Sequence, residues 1–313
     1  QESGKRMTED QLAVFIGSGL RLAMPLLLAG TGELLSQRAG VLNLSLDGMM
    51  LTAAFAAALA AWLTKSPMVG LLVGVMASLV FAFFQAILSV TLRANQLVVG
   101  IGFNILALGA TTFLYREIFG PLSRDTIPGF GKVAVPGLSD IPVIGPALFN
   151  QTGLTYLAFG LVVLTWALLK YTSFGLAVRA VGEDPRAADQ AGINVTRTRY
   201  LGVLYAGALA GLGGAFMSVA DSNTFTEGMT KGAGYLAITA VIFGGWNPWK
   251  TLAACLLFGF ATALQFLVPT LKLDVPVALL LMLPCVLALF AVAAFAGTSR
   301  QPAALTLAFR RGG

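Results

Sequence analysis

The sequence contains no histidine and few charged residues, and each shortage excludes a class of function. Of its 313 residues only 11% are Asp, Glu, Lys or Arg, whereas a soluble globular chain carries about 25%. Without histidine the chain has no Ser-His-Asp or Cys-His nucleophilic site and no HExxH zinc site. We therefore expect no metal site and none of the common hydrolytic machinery.

Cysteine is also scarce, which excludes a disulfide scaffold. The two cysteines, Cys255 and Cys285, lie within apolar runs. We interpret both as small buried thiols without a metal or redox role.

Apolar residues, by contrast, make up 57% of the chain, and the mean hydropathy is +0.82. A helix that crosses the bilayer needs about 20 such residues. Nine apolar stretches approach that length, at 12–35, 41–63, 68–92, 97–119, 154–170, 200–220, 233–247, 251–268 and 276–297. The sequence therefore predicts an all-α polytopic membrane protein with about nine transmembrane helices, forming a single domain over residues 1–313.

The seventh stretch, 233–247, is expected to be a short or broken span. It ends in Gly-Gly-Trp-Asn-Pro (244–248), and glycine freedom together with proline stops a helix sharply.

The distribution of Lys and Arg predicts the orientation. The net charge is +6, but the basic residues are scattered among the loops, so we do not expect nucleic-acid binding. The densest basic cluster lies in the loop at about 171–199 and its flanks, and such clusters favour the cytoplasmic side. The N-terminus is then outside and the C-terminus inside. The Pro- and Gly-rich loop at about 120–153 falls outside, where we expect irregular cover with one short helix, serving as a lid or a docking surface.

Polar residues interrupt the start of the second span. Asn43, Ser45 and Asp47 alternate with leucines, a pattern typical of extended backbone. Such backbone survives at membrane depth only where it lines protein or a wet cavity. For Asp47, a role in the substrate pathway and a role as helix N-cap for the second span are equally supported.

The fourth span carries a second polar pair. Gln96 and Asn104 are eight residues apart and share a helix face with Gly100. Hydrogen bonds between helices and contact with substrate explain this pair equally well. Two further pairs of glycines four residues apart are expected to serve packing only, namely Gly70 with Gly74 and Gly207 with Gly211.

The basic loop predicts a short helix with both ends specified. Asp184 suits the N-cap, Pro185 the first helical position and Gly192 the position after the end. A helix of about two turns is marginal alone in water, so it must rest on its own membrane helices or on a partner.

Four blocks of sequence resemble one family. The stretch 174–193 (FGLAVRAVGEDPRAADQAGI) is similar to the coupling-helix loop of permeases in the branched-chain amino acid, ribose and nucleoside branch of ABC importers. Three further blocks, 32–50, 95–109 and 237–248, also resemble this family and follow one another in the same order as in its members. Block 32–50 is most similar to the nucleoside and simple-sugar members.

The resemblance implies a vitamin B12-importer-like (type II) permease fold in the bacterial inner membrane. It further implies a second permease subunit of different sequence, a cytoplasmic ATPase that holds ATP and magnesium, and an extracytoplasmic binding protein. The chain has no Gly-x-x-x-x-Gly-Lys-Ser/Thr loop of its own, so we expect it to bind no cofactor. The cargo would be a nucleoside or nucleobase compound, with ribose or another simple sugar as the alternative.

The polar residues of the second and fourth spans are the candidates for the substrate pathway, namely Asn43, Ser45, Asp47, Gln96 and Asn104. The resemblance assigns the coupling role. The ATPase would couple to the short helix through Gly182, Glu183, Asp184, Pro185, Arg186, Ala187, Ala188 and Gly192.

Arg21 is the candidate contact for the binding protein. It lies near the outer end of the first span and has no acidic residue within one helical turn. It therefore either extends to the headgroups or receives a carboxylate from outside. Binding proteins of this importer type resemble clamps that set acidic residues on permease arginines.

Two other classes of function fit less well. An intramembrane enzyme would need a Ser-Lys or Asp-Asp arrangement, but only Glu33 and Asp47 are acids near membrane depth, and no lysine lies within a span. A channel or ion-coupled transporter would need paired buried charges, which the sequence does not indicate.

Overall fold

A computed structural model describes residues 9–120, 126–134, 144–270, 276–295 and 301–310 of the chain. Helices dominate these residues, and each predicted apolar stretch contains one. The helices are α1 (Glu9–Arg38), α2 (Leu46–Thr64), α3 (Pro67–Ala86), α4 (Gln96–Phe119), α5 (Ile144–Leu148), α6 (Gly153–Tyr171), α7 (Ser173–Glu183), α8 (Pro185–Gln190), α9 (Val195–Phe216), α10 (Ala233–Phe243), α11 (Pro248–Thr270) and α12 (Val277–Phe295). Short π-helical turns extend α3 to Thr91 and α9 to Asp221.

Seven of the described helices are long and apolar enough to cross a membrane. They are α1, α2, α3, α4, α6, α9 and α11, whereas α10 and the described part of α12 give shorter apolar helices. The fold is thus an all-α polytopic membrane protein. A total of about nine crossings, and their orientation, stay predictions.

The core forms where α1, α2, α3 and α9 pack closely through small residues. A side chain at Gly74 would lie 2.8 Å from the Ala53 carbonyl oxygen of α2, and one at Gly211 would lie 2.9 Å from Ser78 Cβ of α3. Gly70 meets α2 and Gly207 meets α3 in the same way. The packing role predicted for both glycine pairs is confirmed, since only glycine permits these approaches.

The predicted outer loop contains the short helix expected from the sequence, α5, and also a pair of strands that the sequence did not predict. Strands β1 (Lys132–Ala134) and β2 (Asn150–Thr152) pair antiparallel, with α5 just before β2. Two backbone hydrogen bonds, from Ile127 to Asn223 and from Phe130 to Val219, tie 126–130 to the end of α9. Residues 121–125 and 135–143 of this loop lie outside the described residues.

The two cysteines differ in burial. Cys255 on α11 is fully buried, as expected, but Cys285 on α12 is exposed. The expectation for Cys285 was wrong because an apolar run in a membrane protein does not distinguish a face covered by protein from a face covered by lipid.

Candidate functional site

The chain between α1 and α2 re-enters the protein as irregular backbone that ends in a turn. Residues 41–43 belong to no helix, and Asn43 and Ser45 are fully buried. The Leu42 amide donates to Gln96 Oε1 (2.9 Å), and the Asn43 amide donates to Glu33 Oε1 (3.0 Å). Irregular backbone lined by protein is thus observed, but the extended conformation predicted through Asp47 is wrong, since 44–45 form a turn and Asp47 lies in α2. The polar side chains satisfy main-chain groups that water does not reach.

Asn104 shows how deep this segment enters. Its Oδ1 accepts from the Gly48 amide (2.7 Å), and its Nδ2 donates to the Leu44 carbonyl (2.8 Å). Asn104 lies eight residues, about 12 Å, along α4 from Gln96. Helix α2 therefore begins well within the length of α4. This segment also approaches Gly100 closely, because a Cβ there would lie 2.5 Å from Leu44 Cβ.

Helix α10 begins beside the start of α2. It has 11 residues and is therefore about 16 Å long, roughly half of the ~30 Å hydrocarbon core. Asp47 Oδ1 accepts from the Gly234 amide (3.0 Å), and Oδ2 accepts from Thr230 Oγ1 (3.1 Å). One predicted role for Asp47 was to cap α2, but its side chain caps the first turn of α10 instead. Its charge there meets the positive end of the helix.

A second segment, 222–232, descends along α4 to the same point. Glu227 forms two short contacts with Arg116 near the end of α4, at 2.7 and 2.9 Å. Hydrogen bonding from Arg116 lowers the pKa of Glu227. The Tyr235 hydroxyl accepts from Asn104 Nδ2 (2.6 Å). Asn104 precedes Arg116 by 12 residues, or about 18 Å, along α4. The two re-entrant segments therefore meet deep within the bundle.

A polar surface is open at this meeting point. Tyr235 is 42% exposed, and Asn104 and Thr239 are partly exposed. We call Asn104, Tyr235 and Thr239 the α10 polar patch. Polar groups at this depth are costly against lipid and indicate a pathway or a protein contact.

The predicted pathway residues divide into two groups. Asn104 belongs to the polar patch and Asp47 accepts from the Gly234 amide next to Tyr235, whereas Asn43, Ser45 and Gln96 are buried supports of the 41–45 segment. Sequence reasoning missed Tyr235 and Thr239. Their spacing of four within an otherwise apolar short helix was the available signal.

The short helix of the basic loop has the predicted ends. The Asp184 side chain accepts from the amides of Arg186 (2.9 Å) and Ala187 (3.0 Å), and Gly192 has a φ of +84°. Ala188 packs inward on Val181, Val195 and Phe309. Helix α8 thus rests on its own chain, while Arg186 and Ala187 stay exposed.

Residues 301–310 brace this loop. The Ala304 amide donates to the Gly182 carbonyl (2.8 Å), and Arg199 Nη1 donates to the Leu307 carbonyl (2.8 Å). The predicted coupling surface is therefore held by both its own helices and the C-terminal segment.

Arg21 has an acidic partner within the chain. Its Nε lies 3.3 Å from Asp221 Oδ1, and its Nη2 donates to Ser18 Oγ at 3.3 Å. The sequence offered Arg21 only the headgroups or a carboxylate from outside. The partner within the chain was missed because Asp221 is 200 residues away in the sequence. A docking role for Arg21 stays a prediction.

Metal ligands do not cluster in the part of the chain that the structure describes, where no three His, Cys, Asp or Glu residues are close enough to hold an ion.

Comparison with known proteins identifies the family. The family model for the permease component of the branched-chain amino acid transport system matches residues 15–298. The chain is 38% identical to the guanosine ABC transporter permease protein NupQ of Bacillus subtilis, over 96% of this chain and 98% of that protein. It is 35% identical to the nucleoside ABC transporter permease protein NupC of Lactococcus lactis, over 94% and 96% of the two chains.

A third relative carries a sugar name. The putative glucose ABC transporter permease protein TsgC13 of Haloferax volcanii is 38% identical, over 83% of this chain and 79% of that protein. With its apolar helices, this chain is a multi-pass protein of the bacterial plasma membrane and a transport subunit rather than an enzyme. It belongs to the family of permease components of the branched-chain amino acid transport system.

Proposed function

We propose that this chain forms the translocation path for a nucleoside or related nucleobase compound in an ATP-driven importer. The names of NupQ and NupC support this cargo, since both align over nearly their whole length. The observation that carries the proposal is the α10 polar patch at the point where the two re-entrant segments meet.

The chemistry of the patch suits a neutral cargo with an aromatic ring. Asp47 already occupies the N-terminal end of α10, so no free positive helix end is left there for an anion. Tyr235 presents a half-exposed ring, and a nucleobase gains about 1–3 kcal/mol from stacking on such a ring. The Asn104 amide and the Thr239 hydroxyl add hydrogen-bonding groups.

The partners follow from the two ends of the molecule. An ATPase that holds ATP and magnesium would dock on the exposed face of α8 from the cytoplasm. An extracytoplasmic binding protein would dock at the opposite rim, where Arg21 and Asp221 lie. A second permease of different sequence would close the path over the α10 polar patch, which is open in this chain.

Import of ribose or another simple sugar is the second candidate, and the name of TsgC13 favours it. A sugar needs the hydroxyl and amide groups of the patch but gains less from the Tyr235 ring. The two cargoes therefore predict different responses to loss of that ring.

The test is uptake into liposomes that contain the complete importer, with labelled guanosine and labelled ribose compared. We expect ATP-dependent guanosine uptake to fall at least about tenfold in Tyr235→Leu, which removes stacking worth on the order of 1.4 kcal/mol or more. Tyr235→Phe, which keeps the ring, should retain most of the uptake.

Tyr205→Phe is the matched control. It removes a hydroxyl that bonds Thr165 Oγ1 at 2.6 Å, away from the patch, and uptake should not change. If guanosine uptake is unchanged in Tyr235→Leu, the α10 polar patch is not part of the translocation path. If the wild type takes up ribose but not guanosine, the cargo is a sugar.

A further inference from the structure

A cavity of about 170 Å³ opens at the α8 end of the bundle. The ends of three spans surround it: α1 contributes Arg38, α6 contributes Trp166 and Lys170, and α11 begins there at Pro248. Helix α7 adds Arg179. Several water volumes of about 30 Å³ fit this space, which is room enough for a phosphate group.

The cations of the cavity have no acidic partner in the described part of the chain. No described carboxylate lies within 4.0 Å of Arg38, Lys170 or Arg179. Arg38 donates to the Trp246 carbonyl from Nε (3.1 Å) and Nη2 (2.8 Å). The charge of Glu183 attracts Arg38 only from a longer distance, and the like charge of Arg179 repels Arg38. The cavity therefore holds an excess of positive charge.

A helix end strengthens this field. Helix α11 has 23 residues, and its first residue lines the cavity together with Asn247. The helix dipole makes such an end electropositive. The first amides are already bonded, those of Trp249 (3.0 Å) and Lys250 (3.4 Å) to Asn247 Oδ1 and that of Thr251 (2.8 Å) to the Asn247 carbonyl, so this end adds only the field of the helix dipole.

Aromatic side chains place the cavity at the depth of lipid headgroups. Lys170 Nζ lies 5.0 Å from the ring centres of Trp166 and Tyr171, and the Trp166 ring lies 6.0 Å from that of Trp249. Tyr171 and Trp249 are exposed. Tryptophan and tyrosine beside lysine at span ends mark the membrane interface.

We propose that this cavity binds the phosphate of an anionic phospholipid from the adjacent leaflet. Lys170 and Arg179 reach the phosphate oxygens from the rim, and Arg38 supplies positive charge from behind. Basic pockets between membrane helices bind anionic headgroups by the same chemistry. The occupant bridges α1, α6, α7 and α11 and so links the spans to the helix that leads into α8.

The experiment measures retention of lipid by the complete importer. The complex is placed in nanodiscs of phosphatidylcholine with one-tenth phosphatidylglycerol, and native mass spectrometry of the released complex counts bound lipid. We expect phosphatidylglycerol to be retained by the wild type and to bind about 30-fold more weakly in Lys170→Gln/Arg179→Gln, because two cations near the headgroup are lost.

Arg93→Gln/Arg197→Gln is the matched control, since both arginines are exposed and lie outside the cavity lining. It loses the same charge and should retain the lipid. If the double variant at the cavity does not fold, the single variant Arg179→Gln at an exposed position carries the test, with about a fivefold loss expected.

Three results would overturn the proposal. The first is that the cavity variants retain phosphatidylglycerol as well as the wild type does. The second is that the wild type retains phosphatidylcholine as well as phosphatidylglycerol. Alternatively, millimolar inorganic phosphate in neutral detergent would raise the thermal stability of the wild type as much as phosphatidylglycerol does. The last result would assign the site to a soluble phosphate.

Discussion

At the scale of the residue, Asn104 holds backbone as well as facing the open patch. The sequence alone suggests that Asn104→Leu reduces transport far more than folding, because leucine fills a similar volume. The contacts change this expectation, since leucine leaves the Gly48 amide and the Leu44 carbonyl without their partners. Each unpaired buried group costs about 1–3 kcal/mol.

We therefore expect Asn104→Leu to lower both thermal stability and uptake. The measurements are thermal unfolding in detergent and liposome uptake. Gln265→Leu is the control, because the side chain of Gln265 on α11 makes no hydrogen bond with the described residues and should tolerate leucine. An Asn104→Leu protein of normal stability would mean that these bonds do not hold the start of α2.

The Arg116–Glu227 pair allows a prediction on pH. Hydrogen bonds from Arg116 lower the pKa of Glu227 below its ordinary value of 4.5. A lowered folded-state pKa contributes stability above the unfolded pKa, and this contribution is lost as the pH falls through the folded value. Hydrogen exchange of 222–232, corrected for its intrinsic pH dependence, should stay constant from about pH 8 to 5 and rise only below the ordinary pKa.

Glu227→Gln provides the comparison, because it removes the charge at every pH. Its loop should exchange faster than the wild type already at neutral pH and show no acid transition. A wild-type loop that loosens near pH 6 would mean that another group governs this segment.

At the scale of the element, α8 depends on two end residues. Asp184 satisfies two amides and Gly192 has a φ of +84°, and each end contributes about 1 kcal/mol. We expect Asp184→Ala/Gly192→Ala to unfold α8, which is marginal by length. ATP hydrolysis should continue while uptake falls, as measured in the same liposomes.

Asn194→Ala is the matched control for this test. Asn194 caps α9 by accepting from the Arg197 amide at 2.9 Å, but α9 has 22 residues and survives the loss of one cap. Coupled uptake in the α8 double variant would make the loop an ordinary connector.

Elements with local signals were predictable from the sequence. The caps of α8 and the early end of α10 before Pro248 depend on residues within a few positions of each helix end. The depth of 41–48 was not predictable, because it is set by Asn104 on another helix. The pairing of β1 with β2 was likewise missed, since strands of three residues leave no measurable periodicity.

At the scale of the whole molecule, remote contacts decide which polar residues face the path. Sequence reasoning placed Asn43, Gln96 and Asn104 together, but only the fold separates supports from exposed groups. Asp47 illustrates the reason, since its partner Gly234 is 187 residues away. No local pattern reports such a contact, so the family identifies the transport function, while the contacts only select the residues that we propose for the path.

The Arg21–Asp221 pair joins the middle of α1 to the π-helical turn that ends α9, and it tests the proposal that a binding protein docks here. The two side chains are 36% and 28% exposed, so a carboxylate from outside can still reach Arg21. We expect Arg21→Glu to lower both thermal stability and stimulation of the ATPase by the binding protein, because it places two acids together and removes the cation.

Exchange of the two charges separates these effects. Arg21→Asp/Asp221→Arg restores an ion pair but moves the cation from α1 to the end of α9. Thermal stability should recover toward the wild type, whereas stimulation by the binding protein should stay low, because the planar guanidinium no longer stands where its carboxylate partner arrives. Recovery of stimulation together with stability would show that Arg21 serves only to hold the rim and that the binding protein docks through other residues.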